Sequence, residues 1–430
     1  MSGDELAEVR RSTLHADGVF TTTSVAAGTL AFAEAPLNKL QSLDNRQEVA
    51  CCGQCLRFLG GSKLQLALLT GSSPRAEVAA QMGAGTWTTG AEEEAAEAAV
   101  HLCRDDCGEM YCSPACAATH WSASHCLLCT GKIPDSEAEA HPLMAFKTHA
   151  CGTNEIFLMV ADIFAGVVAA LDAGRTVEEA LRPYEGYVRE QWWDAVADPD
   201  PALGTKLKEL VAQSWFLLDR ALSLTERGLG MTLSMDYFSQ TVGMFEQNNV
   251  GVQLSSPLAE LARSSEEQSQ VVPDAARTHT LLLGAAKMIM SKGSEECMDE
   301  DCMDDDDDDD EEDEEEEEPL QDEDIEAATS VLALVDAVGG DDAMWTPLSG
   351  AAFYSKICKI NHSCEPNVMV SYVCTPAQGV VAQVEVLRDL AAGEELLHSY
   401  VDRHDDHEAR TAAIAEYGFT CACAKCAAGL

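Results

Sequence analysis

Basic charge is what this 430-residue chain has least of: 27 Lys and Arg stand against 74 Asp and Glu, a formal net charge of −47. So acidic a field repels nucleic-acid phosphate, which argues against direct binding to DNA, and a basic protein partner fits the sign better. Long apolar runs are also missing, so no segment reads as a bilayer span. The first residues, Met1-Ser2-Gly3-Asp4-Glu5-Leu6-Ala7-Glu8, show no secretory signal. They also lack the Arg-rich, acid-poor character of a transit peptide. The protein is therefore expected inside the cell, without a membrane. Its length allows two or three domains, and 46% hydrophobic residues suffice for a sizeable core.

Cysteine, by contrast, is plentiful. The 18 cysteines gather in short spacings around 51–129 and 421–426. In a reducing compartment such clusters bind zinc more readily than they form disulfides. Between 51 and 129 the pairs are Cys52-x2-Cys55, Cys103-x3-Cys107, Cys112-x3-Cys116 and His125-x3-Cys129. Four such pairs are what two tetrahedral zinc sites require. Cys51 and Cys126 adjoin these positions and are treated as spectators. The stretch between the first two pairs, with Gly60-Gly61 and an Ala/Glu run over 91–99, reads as a loop and a short helix.

Along the chain, Gly18-Val19-Phe20 and Leu30-Ala31-Phe32, separated by Ala27-Gly28, predict a β-hairpin. Residues 130–250 are helical by pattern. Ile156, Phe157, Val160, Ile163, Phe164, Val167 and Val168 recur at helical spacing, with Gly174 as the stop. Trp192-Trp193 and Trp215-Phe216-Leu217-Leu218 are expected core anchors, and Gly243–Val250 is expected to break the helical pattern. Asp304–Glu318 is an acidic block whose self-repulsion predicts an extended, disordered segment. It acts as a solvated spacer or as a polyanion that gathers basic substrates. A helix is expected at Ile325–Val335. Strand signals follow at Ala352-Phe353-Tyr354, Val368–Val373 and Val380–Leu387, and then after the Gly393 turn.

Near the C-terminus stand Asn361-His362-Ser363-Cys364-Glu365-Pro366-Asn367, then Gly393-Glu394-Glu395-Leu396-Leu397-His398-Ser399-Tyr400, then Cys421-x-Cys423-x2-Cys426. This ordered set resembles the C-terminal half of a SET domain, the fold of many protein lysine methyltransferases. Tyr111-Cys112-Ser113-Pro114-Ala115-Cys116, with Trp121, His125 and Cys129, resembles a MYND zinc finger. With Trp192-Trp193-Asp194, Gly243–Asn249 and Tyr417-Gly418-Phe419-Thr420-Cys421, the chain is similar to SET-and-MYND proteins, and among them to the plant trithorax-related histone-lysine methyltransferases.

The resemblance implies an α+β SET fold, a β-clip of short strands with knot-like C-terminal threading. It implies an N-terminal SET segment over 1–50, a MYND-type finger over 51–130 and a helical insert over 131–250. A variable insert over 251–345, a catalytic SET segment over 346–412 and a post-SET tail over 413–430 would follow. An Asn- and aromatic-bearing strand is expected in 243–250, next to the methyl donor. The helical-repeat domain of many such proteins is not expected, since the sequence stops four residues after Cys426.

By the same resemblance Cys52, Cys55, Cys112 and Cys116 hold one zinc, and Cys103, Cys107, His125 and Cys129 a second. Cys364, Cys421, Cys423 and Cys426 hold a third. Gly18, Phe20, Asn361, His362, Tyr400 and Phe419 would contact S-adenosylmethionine, with Ala16 standing where the family has a first glycine. Tyr400, Tyr417 and Phe419 would form the catalytic lysine channel. The implied activity is methyl transfer to lysine of a histone tail, H3 first, or of another basic protein, in the nucleus, with the cytoplasm as a second location. The finger would offer a peptide-binding surface. The alternative is a catalytically weak adaptor in transcriptional complexes.

Overall fold

The computed structural model describes residues 6–59, 65, 100–138, 140–196, 201–257, 259, 346–375, 377–415 and 417–430. The acidic block, the helix expected at 325–335 and nearly all of the stretch between the first two cysteine pairs lie outside these residues.

The fold is mixed α and β. Strands β1 (Ala7–Arg11) and β2 (Asp17–Thr21) form an antiparallel hairpin, with Ala7 opposite Thr21. The second edge of β2 is taken by β12 (Glu395–His398), with Leu396 opposite Val19. In turn β12 runs parallel to the two-residue β9 (Asn361–His362). The hairpin expected between Gly18 and Phe32 therefore does not form. With both edges of β2 occupied, β3 (Leu30–Glu34) pairs instead with β11 (Gly379–Val386) in a second sheet. There β11 also pairs over its full length with β10 (Val368–Thr375), so the strands and turn expected in 368–387 are present. A third sheet joins β4 (Asn38–Gln41), β8 (Leu348–Phe353) and β7 (Val250–Leu254).

The helical insert has its own core. Its centre is α3 (Ile156–Asp172), which follows α1 (Pro114–His120) and α2 (Pro142–Cys151). Apolar residues occur nearly all round α3, and a helix of that kind must be buried on most faces. Phe157, Val160, Phe164 and Val168 are fully buried. They pack with α4 (Pro201–Leu222) and α5 (Met235–Asn248). Phe157 meets Trp192 and Phe238 edge-on at 5.2 and 5.4 Å, the geometry favoured by the aromatic quadrupole. From β8, Phe353 reaches this core, 5.3 Å from Phe245 and 4.5 Å from Tyr187. Gly174, in the left-handed region, follows the end of α3 as expected.

Two expectations here need correction. Gly243–Asn248 is not a strand or a break; it is the second half of α5, capped at Ser234, and β7 begins only at Val250. Gly243 marks a crossing instead, because a side chain there would collide with the Glu190 carbonyl. Phe216 is no core anchor: it is 54% exposed, while Leu218, two residues on, is fully buried.

Polar ties fasten the insert to the sheets. Asp162 of α3 accepts from Asn38 Nδ2 of β4 at 2.7 Å and also from Ser124 Oγ. Glu155 accepts from Ser42 Oγ and the Leu43 N–H, each at 2.9 Å.

Candidate metal centres and active site

The first candidate centres lie in the finger region. A two-stranded ribbon, β5 (His101–Leu102) and β6 (Met110–Tyr111), directs Cys103 and Cys112, the residues that follow each strand. The turn after Cys52 closes with the Leu56 N–H donating to the Cys52 carbonyl, and that after Cys103 with the Asp106 N–H donating to the Cys103 carbonyl. Leu56 and Asp106 both sit in the left-handed region, at φ 57° and 56°, so these turns impose a conformation that side chains disfavour. Ser113 caps α1 by accepting from the Cys116 N–H at 3.1 Å, and Pro114 occupies the first helical turn. His125 ends a five-residue π-helical turn, Trp121–His125.

Cys52, Cys55, Cys112 and Cys116 converge with their ligand atoms all within 4.8 Å of one another, and so do Cys103, Cys107, His125 and Cys129. Sulfur pairs in the first group lie 3.6 Å (Cys55–Cys112) and 3.5 Å (Cys112–Cys116) apart. In the second, His125 Nε2 lies 3.4 Å from both Cys103 and Cys107. A zinc–sulfur bond of about 2.3 Å gives tetrahedral sulfur–sulfur edges of about 3.8 Å, so both groups fit such an ion. Burial depresses the His125 pKa to about 4, which keeps the imidazole neutral as ligation requires. Cys51 donates to Gln41 Oε1 at 3.1 Å, and neither it nor Cys126 joins a group.

A third group, Cys364, Cys421, Cys423 and Cys426, meets the same 4.8 Å limit, with Cys364 and Cys426 sulfurs 3.4 Å apart. Its members come from the loop after β9 and from the tail. A backbone bond adds to the tie: the Lys425 N–H donates to Glu365 Oε2 at 3.1 Å.

Around β9 the geometry is tighter. Asn361 is nearly buried, and its Nδ2 serves the His15 and Asp17 carbonyls and Glu395 Oε1, at 3.2, 3.3 and 2.8 Å. It thereby pins the β1–β2 turn onto the core. A side chain at Gly18 would crowd the Phe20 ring and displace the Glu395 carboxylate that Asn361 holds. Ala16, in the same turn, holds φ +41°, a left-handed conformation normally filled by glycine. Phe20 stacks under the Arg10 guanidinium at 4.3 Å.

His362 accepts the Tyr400 N–H at Nδ1, 3.0 Å away. Burial depresses its pKa to about 4, so the ring is neutral near pH 7. Nδ1 must then be the bare nitrogen, and the ring proton sits on Nε2, aimed at Cys364 Sγ at 3.3 Å. Tyr400 donates its hydroxyl to the Ile360 carbonyl at 2.9 Å, and burial raises its pKa. Its ring lies 5.3 Å from Tyr417, 6.3 Å from Phe419 and 4.8 Å from His398. Phe419 also meets His362, at 5.9 Å. Tyr417 and Phe419 are 48% and 39% exposed, so this aromatic group opens to solvent on the tail side.

The sequence reading assigned no role to three residues that hold this site. Asn367 donates to the Glu395 carbonyl and accepts the Leu397 N–H, at 2.8 and 2.7 Å, locking β12 beside β9. Glu395, on β12, anchors Asn361 and Ser12. Glu34 accepts three backbone N–H groups, those of Ser355, Lys356 and Ile357. Asn367 and Glu395 lay within the quoted motifs; Glu34 carried no local signal.

Comparison with known proteins places these observations. A model of the SET domain matches residues 205–401. Histone-lysine N-methyltransferase ATXR2 of Arabidopsis thaliana is 27% identical over 348 residues, 75% of this chain and 62% of that protein. N-lysine methyltransferase SMYD2 of Homo sapiens is 36% identical over 78 residues, 18% of this chain and 17% of its own length. The chain thus spans less than two thirds of the length of these curated relatives. Residues 205–401 are thus similar to a SET domain. Over the matched stretches the chain is similar to SET-and-MYND lysine methyltransferases and to the plant trithorax-related group.

Proposed function

We propose that this protein is an S-adenosylmethionine-dependent protein lysine methyltransferase. The observation that carries the reading is the convergence of His362, Tyr400, Tyr417 and Phe419 on one aromatic group beside the Asn361–His362 strand. S-adenosylmethionine, when bound, supplies the methyl group on a positively charged sulfonium. Gly18, Phe20, Asn361, His362, Tyr400 and Phe419 are the residues proposed to hold it. Asn361 and Gly18 act through shape, since the asparagine Nδ2 is spent on the 15–17 turn and on Glu395.

The target amine must be neutral to attack. For a free lysine near pH 7 this costs roughly 4–5 kcal/mol. Apolar ring faces around Tyr400 favour loss of that proton by desolvation. The Tyr400 hydroxyl, kept protonated by burial, orients the amine for in-line approach. Tyr417 and Phe419 form the outer walls of the channel.

Zinc in the three four-residue groups completes the reading, two ions in a MYND-type finger over 51–130 and one in the post-SET tail over 413–430. The helical insert over 131–250 and the catalytic segment over 346–412 complete the division, with 1–50 and 251–345 before and between them. The separate hydrophobic cores of insert, sheets and finger support that division. The knot-like threading of the family is supported by Asn367, which bonds β12 through both its side chain and its backbone. The proposed substrate is a histone tail, H3 first, or another basic protein, which suits the net charge and a place in the nucleus. The finger is the proposed peptide-binding surface. Strain at Ala16 favours a second reading, a catalytically weak adaptor.

The test is transfer from labelled donor to histones, nucleosomes and ribosomal proteins by the zinc-loaded chain. Tyr400→Phe should lower the rate at least about 100-fold while metal content stays the same. No transfer to any of these by folded, fully metallated protein would leave the adaptor.

A further inference from the structure

Helix α6 (His407–Ala415) carries the largest fully buried side chain among the described residues, Arg410, which is 1% exposed. Its guanidinium donates to two backbone carbonyls, those of Asp405 and Leu430. Burial opposes its charge, and the neighbouring Cys364 and Cys426 sulfurs favour it. Nε has no partner in the described structure. Arg410 lines a cavity of about 330 Å³ together with Ile414, Thr420, Cys421 and Cys426.

A permanently charged side chain is costly to bury unless it is paired. Two carbonyls satisfy hydrogen bonds but leave the charge uncompensated. Four cysteinates around a divalent ion carry a net charge of −2, and such an assembly needs nearby cations and N–H donors to be stable away from water. In a chain with 27 basic residues against 74 acidic ones, the placement of a buried cation at this group of thiols is informative. Arginine also suits the task better than lysine, because its planar fork serves two carbonyls at once while its charge stays beside the thiols.

We propose that Arg410 is a positioning residue of the third metal site. It offsets the charge of the four thiolates and ties Cys364, next to the Asn361–His362 strand, to Cys426 of the tail. This rests on the reading of that group as a zinc site. Arg410 touches neither substrate nor donor; it acts through the ligands, and through them on where Tyr417 and Phe419 stand.

The test uses the full zinc-loaded chain, challenged with a chromophoric chelator and an alkylating agent, with modified cysteines located by peptide mass spectrometry. The parent should hold three zinc equivalents. Arg410→Met should release one of the three at least about tenfold faster. Cys364, Cys421, Cys423 and Cys426 should then be the first cysteines alkylated, with the eight finger ligands unchanged. Arg410→Lys should recover part of the retention. Release and alkylation in Arg410→Met equal to the parent overturn the proposal. A parent with only two zinc equivalents and freely alkylated tail cysteines overturns the metal reading itself. Should Arg410→Met fail to fold, the parent decides: removing the third ion should speed amide exchange in His407–Ala415 together with the tail. Exchange in that helix that does not respond overturns the proposal.

Discussion

The helical insert packs on β4 and β8, and the cysteine-bearing finger meets β11 where the Val380 N–H donates to the Cys55 carbonyl; the two are held by different forces. The insert buries Phe157, Phe164, Phe238, Phe245 and Trp192 in one apolar cluster. The finger has a small core of Ala50, Leu59, Met110 and Tyr111 between its thiols, and eight converging ligand side chains. Surface area explains the first and cannot explain the second: a core of that size falls well short of the conformational entropy of ordering its loops. On the reading proposed here, metal coordination makes up the difference in the finger. The comparison teaches that one chain uses burial where it has long apolar helices and coordination where it has short turns.

The largest effect that would break this comparison is metal removal. Structural zinc contributes on the order of 10 kcal/mol per site, so chelation should unfold the finger while helical circular dichroism from the insert largely persists. Simultaneous loss of both would mean the insert depends on the finger, which touches it through Ser124 and Asp162. Next in size is Phe238→Ala, which should destabilise the insert by about 3–5 kcal/mol without releasing zinc, measured by denaturation alongside metal content.

Acid offers a smaller separation. His398, beneath the Tyr400 ring, has its pKa depressed to about 4, by burial first and by the neighbouring His362 second. The unfolded imidazole takes up a proton from about pH 6.5 downward while the folded one resists until about pH 4. Stability supplied by neutral His398 is therefore full above pH 6.5 and is lost as pH falls toward 4. The difference between parent and His398→Gln should shrink by about 2 kcal/mol between pH 7.5 and 4.5. A constant difference would show that folding does not shift the His398 pKa. Smallest is Ala16→Gly, which relieves a left-handed alanine at some cost in unfolded-chain entropy. A net gain of about 0.5 kcal/mol in thermal unfolding is expected, and a loss would mean the turn is unstrained.

Legibility was uneven for physical reasons. Eleven of the twelve cysteine and histidine positions stood out because metal ligands a few residues apart can turn toward one ion; Cys364, far from its partners in sequence, came from the resemblance, and the structure gathers those same twelve into three groups of four. The helix at Ile156–Asp172 was plain from its apolar period. Strand pairing was not. Gly18-Val19-Phe20 and Leu30-Ala31-Phe32 looked like neighbours, yet β2 is claimed by β12, nearly 380 residues away. Gly243 looked like a break, yet it permits a helix to pass the Glu190 carbonyl. Glu34 had no signal at all, because its partners are backbone N–H groups of a distant loop.

What the sequence by itself supplied is the set of candidate residues: the ligand pairs from type and local spacing, and Asn361-His362, Tyr400 and the aromatic pair in the tail from resemblance to a SET domain. Only the tertiary structure decided how they are held. Asn361 gives its side chain to the β1–β2 turn, His362 joins Tyr400 to Cys364 through its two nitrogens, and Arg410 lies buried against the third cluster. Local spacing follows from backbone geometry and can be read along the chain. Which distant carbonyl, carboxylate or thiol meets a given side chain follows from packing the whole chain at once.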